Sequence, residues 1–152
     1  NRIELSHMIN NFEAKELKLK IDLPLEELKS IQSQPHFLKI FKGEMMGHYP
    51  YGKIFSIEET ITESQKFYEK DRVPTGILPG KRASVSKDFA YNYEKEFDLK
   101  LAVDGTRRYA WVFPNNIESN YKEEQNWMEL SFELPKGSYA TTLIEEVLKV
   151  RF

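Results

Sequence analysis

Five basic residues could bind an anionic ligand, because each lies close to a glycine at a predicted turn. They are Lys81, Arg82, Arg107, Arg108 and Lys136. Cationic side chains neutralise phosphate, so these residues are candidate contacts to a nucleic acid. Lys136 has a further advantage, because it precedes a predicted helix whose first backbone amides favour anions.

The glycine-containing segment before Lys81 does not have the pattern of a nucleotide-binding P-loop. It runs Pro-Thr-Gly-Ile-Leu-Pro-Gly from Pro74 to Gly80, whereas a P-loop has the pattern Gly-x-x-x-x-Gly-Lys-Ser/Thr. Arg107 and Arg108 are adjacent in a predicted strand, so their side chains point to opposite faces. One of the two can face a ligand, and the other is expected in solvent or paired with an acid.

The three histidines do not have the spacing of a metal site. His7, His36 and His48 are far apart in the sequence, and there is no cysteine. We therefore expect neither a bound metal nor a disulfide framework.

The clearest structural signal is a strand, a turn and a helix near the end of the sequence. Apolar residues occupy every second position from Met128 to Leu134, which predicts a strand with one buried face. Pro135 and Gly137 end this strand, and Ser138 is predicted to cap the helix that follows. That helix has a broad apolar face.

The other elements are predicted from periodicity and from residues that cap or break helices. The first half of the chain is predicted to contain an opening helix at 3–12, a helix at 25–31, and a strand, turn and strand at 43–57. A capping box at 62–65 then opens a further helix, and a shaped loop follows at 74–80. The rest comprises a helix capped by Ser86 or Asp88 and ended by Gly105, a strand at 107–113 and a loop at 115–126. Segment 18–23 is predicted as a short strand or an irregular extended piece, and segment 37–41 as either a helix or a strand.

Composition indicates a globular, soluble chain. Of its 152 residues, 40% are hydrophobic and 30% are charged. No run approaches the ~20 apolar residues that a membrane span needs. The formal net charge is -2, so a nucleic-acid site must be a local cluster of cations. The absence of cysteine fits a cytoplasmic protein.

Three motifs resemble those of the TruD family of tRNA pseudouridine synthases and follow in the family's order. The longest is Phe-Glu-Leu-Pro-Lys-Gly-Ser-Tyr-Ala-Thr from Phe132 to Thr141. It is similar to the family's Phe-x-Leu-Pro-x-Gly-Ser-Tyr/Phe-Ala-Thr, which precedes an apolar helix. The others are Gly-Thr-Arg-Arg at 105–108 and the segment 74–80, which is similar to Pro-Thr-Gly-x-Leu-x-Gly. The resemblance covers nearly the whole chain but only the later part of a family member.

The resemblance implies an isomerase that converts a uridine of tRNA to pseudouridine with a catalytic aspartate and no cofactor. An aspartate suits this reaction because a nucleophile or base must help to break the glycosidic bond, and the uridine must leave its stack. The family's catalytic pattern is Gly-x-Lys-Asp followed by a basic residue. Lys70-Asp71-Arg72 is the nearest likeness, but Tyr68 occupies the glycine position. We therefore expect no catalytic residue in this chain.

The expected fold class is α+β, with helices and short strands in an insertion lobe and an antiparallel or mixed sheet fragment covered by a C-terminal helix. By resemblance, residues 1-98 form part of the family's insertion domain, and residues 99-152 return to its catalytic domain. Leu134 and Pro135 would wall the uridine pocket there. The strand at 128–134 is expected to need further strands from elsewhere, because an isolated two-stranded ribbon is marginal in water.

The expected partners are tRNA and the N-terminal part of the same protein, with no membrane and no metal. The sequence opens at Asn1 inside a predicted helix and without a methionine, which favours a fragment whose Gly-x-Lys-Asp motif lies upstream. The alternative is a non-catalytic RNA-binding or protein-interaction module that keeps the family's frame. The net charge favours this alternative, whereas the three ordered motifs favour the synthase.

Overall fold

The computed structural model describes residues 2–150, which form two compact units. The first unit ends at Trp111 and the second begins at Val112. This division falls later in the chain than the family boundary expected after residue 98. The assignment of the two segments to an insertion domain and a catalytic domain stays a prediction.

The described part of the first unit contains five α-helices, a short 3-10 helix and four strands. Their order is α1 Arg2–Asn11, α2 Ala14–Lys18, α3 Leu25–Gln32, β1 Met45–His48, β2 Ile54–Ser56, α4 Thr60–Tyr68, β3 Arg72–Leu78, α5 Asp88–Tyr91, the 3-10 helix Lys95–Phe97 and β4 Thr106–Tyr109. The second unit contains β5 Asn115–Lys122, β6 Trp127–Glu133 and α6 Ala140–Leu148.

The four strands of the first unit form an antiparallel sheet in the order β2-β1-β3-β4. The strand, turn and strand predicted at 43–57 are confirmed as β1 and β2. The loop predicted at 74–80 is wrong, because residues up to Leu78 belong to β3. Pro74 is tolerated in this central strand because it lies where the ladder with β4 ends. Ala110 donates its N–H to the Pro74 carbonyl at 2.9 Å, and only the return bond is lost.

Helices α1, α2 and α3 build the core of the first unit. The core includes the buried side chains of Leu5, Ile9, Leu17, Leu28, Ile31 and Phe41. The helices predicted at the start of the chain and at 25–31 are confirmed. Residues 19–23 are irregular, and segment 37–41 is neither helix nor strand. Phe41 is nevertheless 0% exposed, because it packs on the helices.

Two helix caps predicted in the first unit do not form. Helix α4 begins at Thr60, so Thr62 lies inside it and opens no capping box. Ser86 does not cap α5, because its N–H and hydroxyl donate to the Glu94 carboxylate at 2.9 and 3.0 Å. The single helix predicted here is instead the four-residue α5 and a separate 3-10 helix. Gly105 lies beyond both and ends neither.

Gly80 and Gly105 allow two loops to cross closely. A Cβ on Gly80 would meet the Gly105 nitrogen at 2.5 Å, and a Cβ on Gly105 would meet the Gly80 nitrogen at 2.8 Å. Lys81 donates its N–H to the Val103 carbonyl at 2.7 Å, and Gly105 donates to the Lys81 carbonyl at 2.8 Å. This crossing fixes the backbone of Lys81 beside the start of β4.

In the second unit, β5 and β6 form a two-stranded antiparallel hairpin. The strand predicted at 128–134 is confirmed as β6, whereas the loop predicted at 115–126 is wrong because β5 occupies most of it. Nearly all β5 side chains are exposed, so the sequence carries no apolar alternation from which a strand could be predicted. Gly137 has the positive φ expected of the turn, at 89°. Tyr139, not Ser138, is the N-cap of α6, and its side chain makes no capping bond.

The apolar face predicted for β6 is largely open. Met128 is 63% exposed, and Leu130, Phe132 and Leu134 are half-buried. None of the side chains described at 112–150 is fully buried. A hairpin with one helix therefore leaves this unit without a closed core.

The predicted α+β class is confirmed, because each unit combines helices with antiparallel strands. Across residues 2–150, the helices are too short or too polar for any of them to traverse a lipid bilayer.

Candidate nucleic-acid interface

Arg107 is not available to a ligand, because its guanidinium group is buried inside the first unit. The side chain is 2% exposed, and its Nη2 lies 2.6 Å from Oε2 of Glu94. The prediction that Arg107 contacts RNA is contradicted by this geometry. Arg107 is the member of the arginine pair that binds an acid.

Every N–H group of the Arg107 guanidinium has an acceptor. Nε donates to the Thr75 hydroxyl at 2.8 Å, and Nη1 donates to the Ser84 carbonyl at 2.7 Å and to Glu94 Oε1 at 2.9 Å. Nη2 donates to the Thr75 carbonyl at 2.9 Å and to Glu94 Oε2 at 2.6 Å. An arginine side chain has five donors, so this one is saturated. It joins β4 to β3 and to the loop that carries Ser84.

Glu94 is charged at neutral pH although it is buried. Burial raises the pKa of the Glu94 carboxyl, but the hydrogen bonds from Arg107 and Ser86 outweigh burial and hold the pKa below its ordinary value of 4.5. The two-pronged contact with a guanidinium is among the strongest hydrogen-bonded pairs. Sequence reasoning missed Glu94, because no local pattern distinguishes it from an exposed glutamate of the predicted helix.

Arg108 lies on the opposite face of β4 and is exposed. Its partner in β3 is Gly76, which has no side chain to crowd the guanidinium group. Arg108 is therefore the arginine of this pair that can reach a phosphate.

Lys81 and Arg82 are also exposed, beside Asp104. Both Asp104 oxygens accept hydrogen bonds from Arg82 Nη2 at 2.8 Å. The Arg82 side chain is 82% exposed, and an ion pair so exposed contributes at most about 1 kcal/mol. Arg82 can therefore exchange Asp104 for a phosphate at small cost.

Lys81, Arg82 and Arg108 are exposed cations that lie on or beside the edge strand β4. Lys81 is bridged to Asp104, four residues before Arg108, which corresponds to roughly 13 Å of extended chain at most. Strand β4 is an edge strand of its sheet, so a ligand can approach all three cations. We call Lys81, Arg82 and Arg108 the edge cluster.

The remaining predicted site residues belong to the second unit. Lys136 is exposed in the turn before α6, and Leu134 and Pro135 beside it are half-buried. A cation and an apolar surface therefore lie next to each other there. Their predicted roles, RNA contact for Lys136 and a pocket wall for Leu134 and Pro135, stay predictions.

Asp71 lacks the surroundings of a catalytic acid. It is exposed in the turn after α4, and its neighbour Arg72 pairs with Glu63 at 3.1 Å. Thr75 lies four residues further along, in β3, and its hydroxyl donates to the Met45 carbonyl at 2.7 Å and accepts from Arg107. The absence of a catalytic residue from this chain stays a prediction.

The described residues 2–150 contain no group of three histidine, cysteine or acidic side chains that could hold a metal. His36 instead stacks on Phe67 with ring centroids 3.8 Å apart. Burial lowers the pKa of His36, which favours its neutral form in this aromatic contact.

A family model supplies the decisive comparison. The model of tRNA pseudouridine synthase D (TruD) matches residues 48–147. The chain belongs to the TruD family. The matched region contains the edge cluster, β6, the turn that follows it and all of α6 except Leu148.

Two relatives, both named tRNA pseudouridine synthase D, resemble nearly all of this TruD-family chain. The protein from a Nitratiruptor species is 46% identical over 147 residues, and that from Wolinella succinogenes is 49% identical over 148 residues. Each match covers 96% of this chain and 41% of the relative. The chain thus spans about two fifths of the length of these relatives.

A crystal structure of TruD from Methanosarcina mazei has a similar fold. Its TM-score with this chain is 0.60 at 20% sequence identity, and the match covers 99% of this chain and 44% of the other. At this identity the likeness concerns the fold alone, and it agrees with the α+β class.

The buried pair of Arg107 and Glu94 makes the stability of the first unit sensitive to acid. Because the pKa of Glu94 is lower in the folded than in the unfolded chain, its stabilising effect is complete above the ordinary pKa of 4.5 and is lost as the pH falls through the folded value. Glu94→Gln should lower the free energy of unfolding by about 3 kcal/mol at neutral pH. Urea denaturation measures this loss.

The same substitution should cost less in acid, because the wild-type carboxyl is then protonated too. The exposed Glu96 is a matched control, and Glu96→Gln should change the free energy of unfolding by less than about 0.5 kcal/mol at either pH. An equal effect of Glu94→Gln at neutral and acid pH would contradict the role given to the charged pair.

Proposed function

We propose that this chain forms part of a tRNA pseudouridine synthase, an isomerase that converts a uridine of tRNA to pseudouridine in the cytoplasm. The family match over residues 48–147 carries this proposal. It includes the motif at 132–141, which folds as the end of β6, a glycine turn and the start of α6. Relatives at 46% and 49% identity bear the name of this activity.

The chain's part in the reaction is to hold and shape the RNA, while the catalytic aspartate comes from the rest of the protein. The sequence contains no Gly-x-Lys-Asp, and it spans 41% of the relatives' length. In this proposal, residues 1-98 belong to the insertion domain and residues 99-152 to the catalytic domain.

The remaining polypeptide of a family member is also the proposed partner of the second unit. Exposed apolar side chains on the hairpin and helix include Ile117, Tyr121, Trp127, Met128, Val147 and Leu148. A surface this apolar marks an interaction site. Further strands from the remaining polypeptide would bury the face of β6 that residues 112–150 leave open.

The proposed RNA contacts are the edge cluster in the first unit and Lys136 in the second. The overall charge of -2 gives no general attraction to RNA, so local cations must supply it. Arg107 is not included, because its donors are used inside the protein. Leu134 and Pro135 are proposed to wall the uridine pocket beside Lys136.

A chimera tests the proposed activity. This chain replaces the matched region of the Wolinella succinogenes relative, and unmodified tRNA is then assayed for pseudouridine. The chimera should convert uridine, because the relative supplies the missing aspartate. The isolated chain should convert none.

Two results would contradict the proposal. Conversion by the isolated chain would place a catalytic residue within it, and Asp71→Ala would then be the variant to assay. A folded chimera that binds tRNA without converting uridine would favour the non-catalytic binding module, the interpretation that the net charge supports.

Substitution of the proposed RNA contacts should weaken tRNA binding in a salt-dependent way. Each of Lys81→Ala, Arg108→Ala and Lys136→Ala in the chimera should reduce the slope of log K against log salt concentration by about 1, because one phosphate contact is lost. Filter binding at several salt concentrations measures the slope.

Lys29 is a suitable control, because it is an exposed lysine of α3, paired with Glu26, outside the proposed contacts. Lys29→Ala should leave the slope unchanged. If Arg108→Ala behaves like Lys29→Ala, the edge cluster does not contact the RNA.

A further inference from the structure

A cavity of about 430 Å³ in the first unit has no part in the proposed RNA contacts. Residues of β3 from Pro74 to Ile77 line it, and aromatic walls come from Tyr93, Phe97 and Trp111. Ile3 and Phe97, at its border, are exposed. The volume suits a small ligand or a large apolar side chain.

One edge of β3 beside this cavity has no neighbouring strand in residues 2–150. Strand β1 pairs only with residues 72–74 of β3, whereas β4 covers residues 75–78 along the other edge. Alternate residues of a strand direct their backbone groups to the same edge. The Thr75 carbonyl on the open edge already accepts from Arg107, so Ile77 offers the next backbone groups. An unpaired edge of this kind is a template for another extended segment.

The charged side chains that line the cavity are already paired with each other or with Arg107. Arg2 Nη1 and Nη2 donate to the Glu44 carboxylate at 2.7 and 3.1 Å, and Glu94 holds Arg107. The lining therefore offers no spare positive charge for a phosphate. It suits an uncharged, mainly apolar occupant.

The Nε of Arg2 indicates one further property of the occupant. This buried donor has no hydrogen-bond acceptor among the described residues, and an unmade bond of this kind costs about 1–3 kcal/mol. An extended peptide segment supplies carbonyl oxygens for such a donor together with apolar side chains for the cavity.

We propose that an extended segment of the remaining polypeptide of a family member pairs with the open edge of β3 at Ile77 and inserts an apolar side chain into this cavity. The chain spans only 41% of the length of its relatives, so a family member has a long remaining polypeptide that can supply such a segment. The inference rests on the proposed function in one respect, because that proposal supplies the remaining polypeptide.

Gly76→Leu tests this site, because Gly76 lines the cavity and has open space beside it for a larger side chain. A Cβ on Gly76 would meet only the Ala110 Cβ, at 4.0 Å. In the isolated chain, Gly76→Leu should leave the Tm unchanged or raise it. In the chimera it should lower the Tm by several degrees, because the leucine displaces the inserted segment.

Thr106→Leu is the matched control. Thr106 is an exposed residue of β4 in the same sheet, outside the lining of the cavity. It should change the Tm little in either protein. An equal effect of Gly76→Leu in the isolated chain and the chimera would overturn the inference.

Hydrogen exchange gives a second, independent measurement. The amide of Ile77, which faces the open edge, should exchange at least about ten times more slowly in the chimera than in the isolated chain, whereas the amide of Gly76 already faces β4. If the chimera does not fold, the remaining portion of the Wolinella succinogenes relative is added to the isolated chain, and unchanged exchange there overturns the inference. Protection by oligouridylate without the added polypeptide would also overturn it, in favour of a nucleotide site.

Neither readout depends on uridine conversion. A chimera with a protected Ile77 amide but without pseudouridine formation would contradict the proposed function and leave this site standing. A chimera that converts uridine while the Ile77 amide exchanges as fast as in the isolated chain would support the proposed function and overturn this site.

Discussion

The first unit depends on the buried ion pair of Arg107 and Glu94. A buried guanidinium group is costly unless each donor has an acceptor, so Thr75, Ser84 and Glu94 must hold their positions together. The segment between β3 and β4 contains little regular structure, only the four-residue α5 and a 3-10 helix. The ion pair, with Ser86 bound to the same carboxylate, therefore holds this segment in place, in the absence of a longer helix or strand.

The second unit has no comparable constraint. Its two strands and one helix leave the side chains of residues 112–150 exposed or half-buried, so the hydrophobic effect has little apolar surface to remove from water within this unit. The first unit differs in this respect, because its helical core around Phe41 contains fully buried apolar side chains. The chain spans about two fifths of the length of its relatives, and under the proposed function the remaining polypeptide would cover the open face of the second unit.

Periodicity in the sequence predicted those elements whose apolar residues repeat at the spacing of a helix or of a strand. The opening helix, the helix at 25–31 and the strand β6 each repeat apolar residues at helical or alternating spacing, and each is present. Strand β5 could not be predicted, because its hairpin pairing leaves no buried face to select apolar residues. Strand β3 was predicted as a loop because it contains Pro74. The proline is tolerated because it lies at the end of the ladder with β4, and that position depends on the tertiary fold rather than on the local sequence. The burial of Arg107 likewise depends on Glu94, which lies 13 residues away.

Residue-resolved hydrogen exchange on the isolated chain most directly tests whether the first unit has a packed core and the second unit lacks one. Amides in the centre of the first sheet, such as Val73, should be protected close to the global free energy of unfolding, because they lie in a packed core. Amides of the β5–β6 hairpin, such as Leu130, should exchange through local opening at nearly unprotected rates. Equal protection of Val73 and Leu130 would show that the second unit closes its own core, and would contradict the view that it depends on the remaining polypeptide.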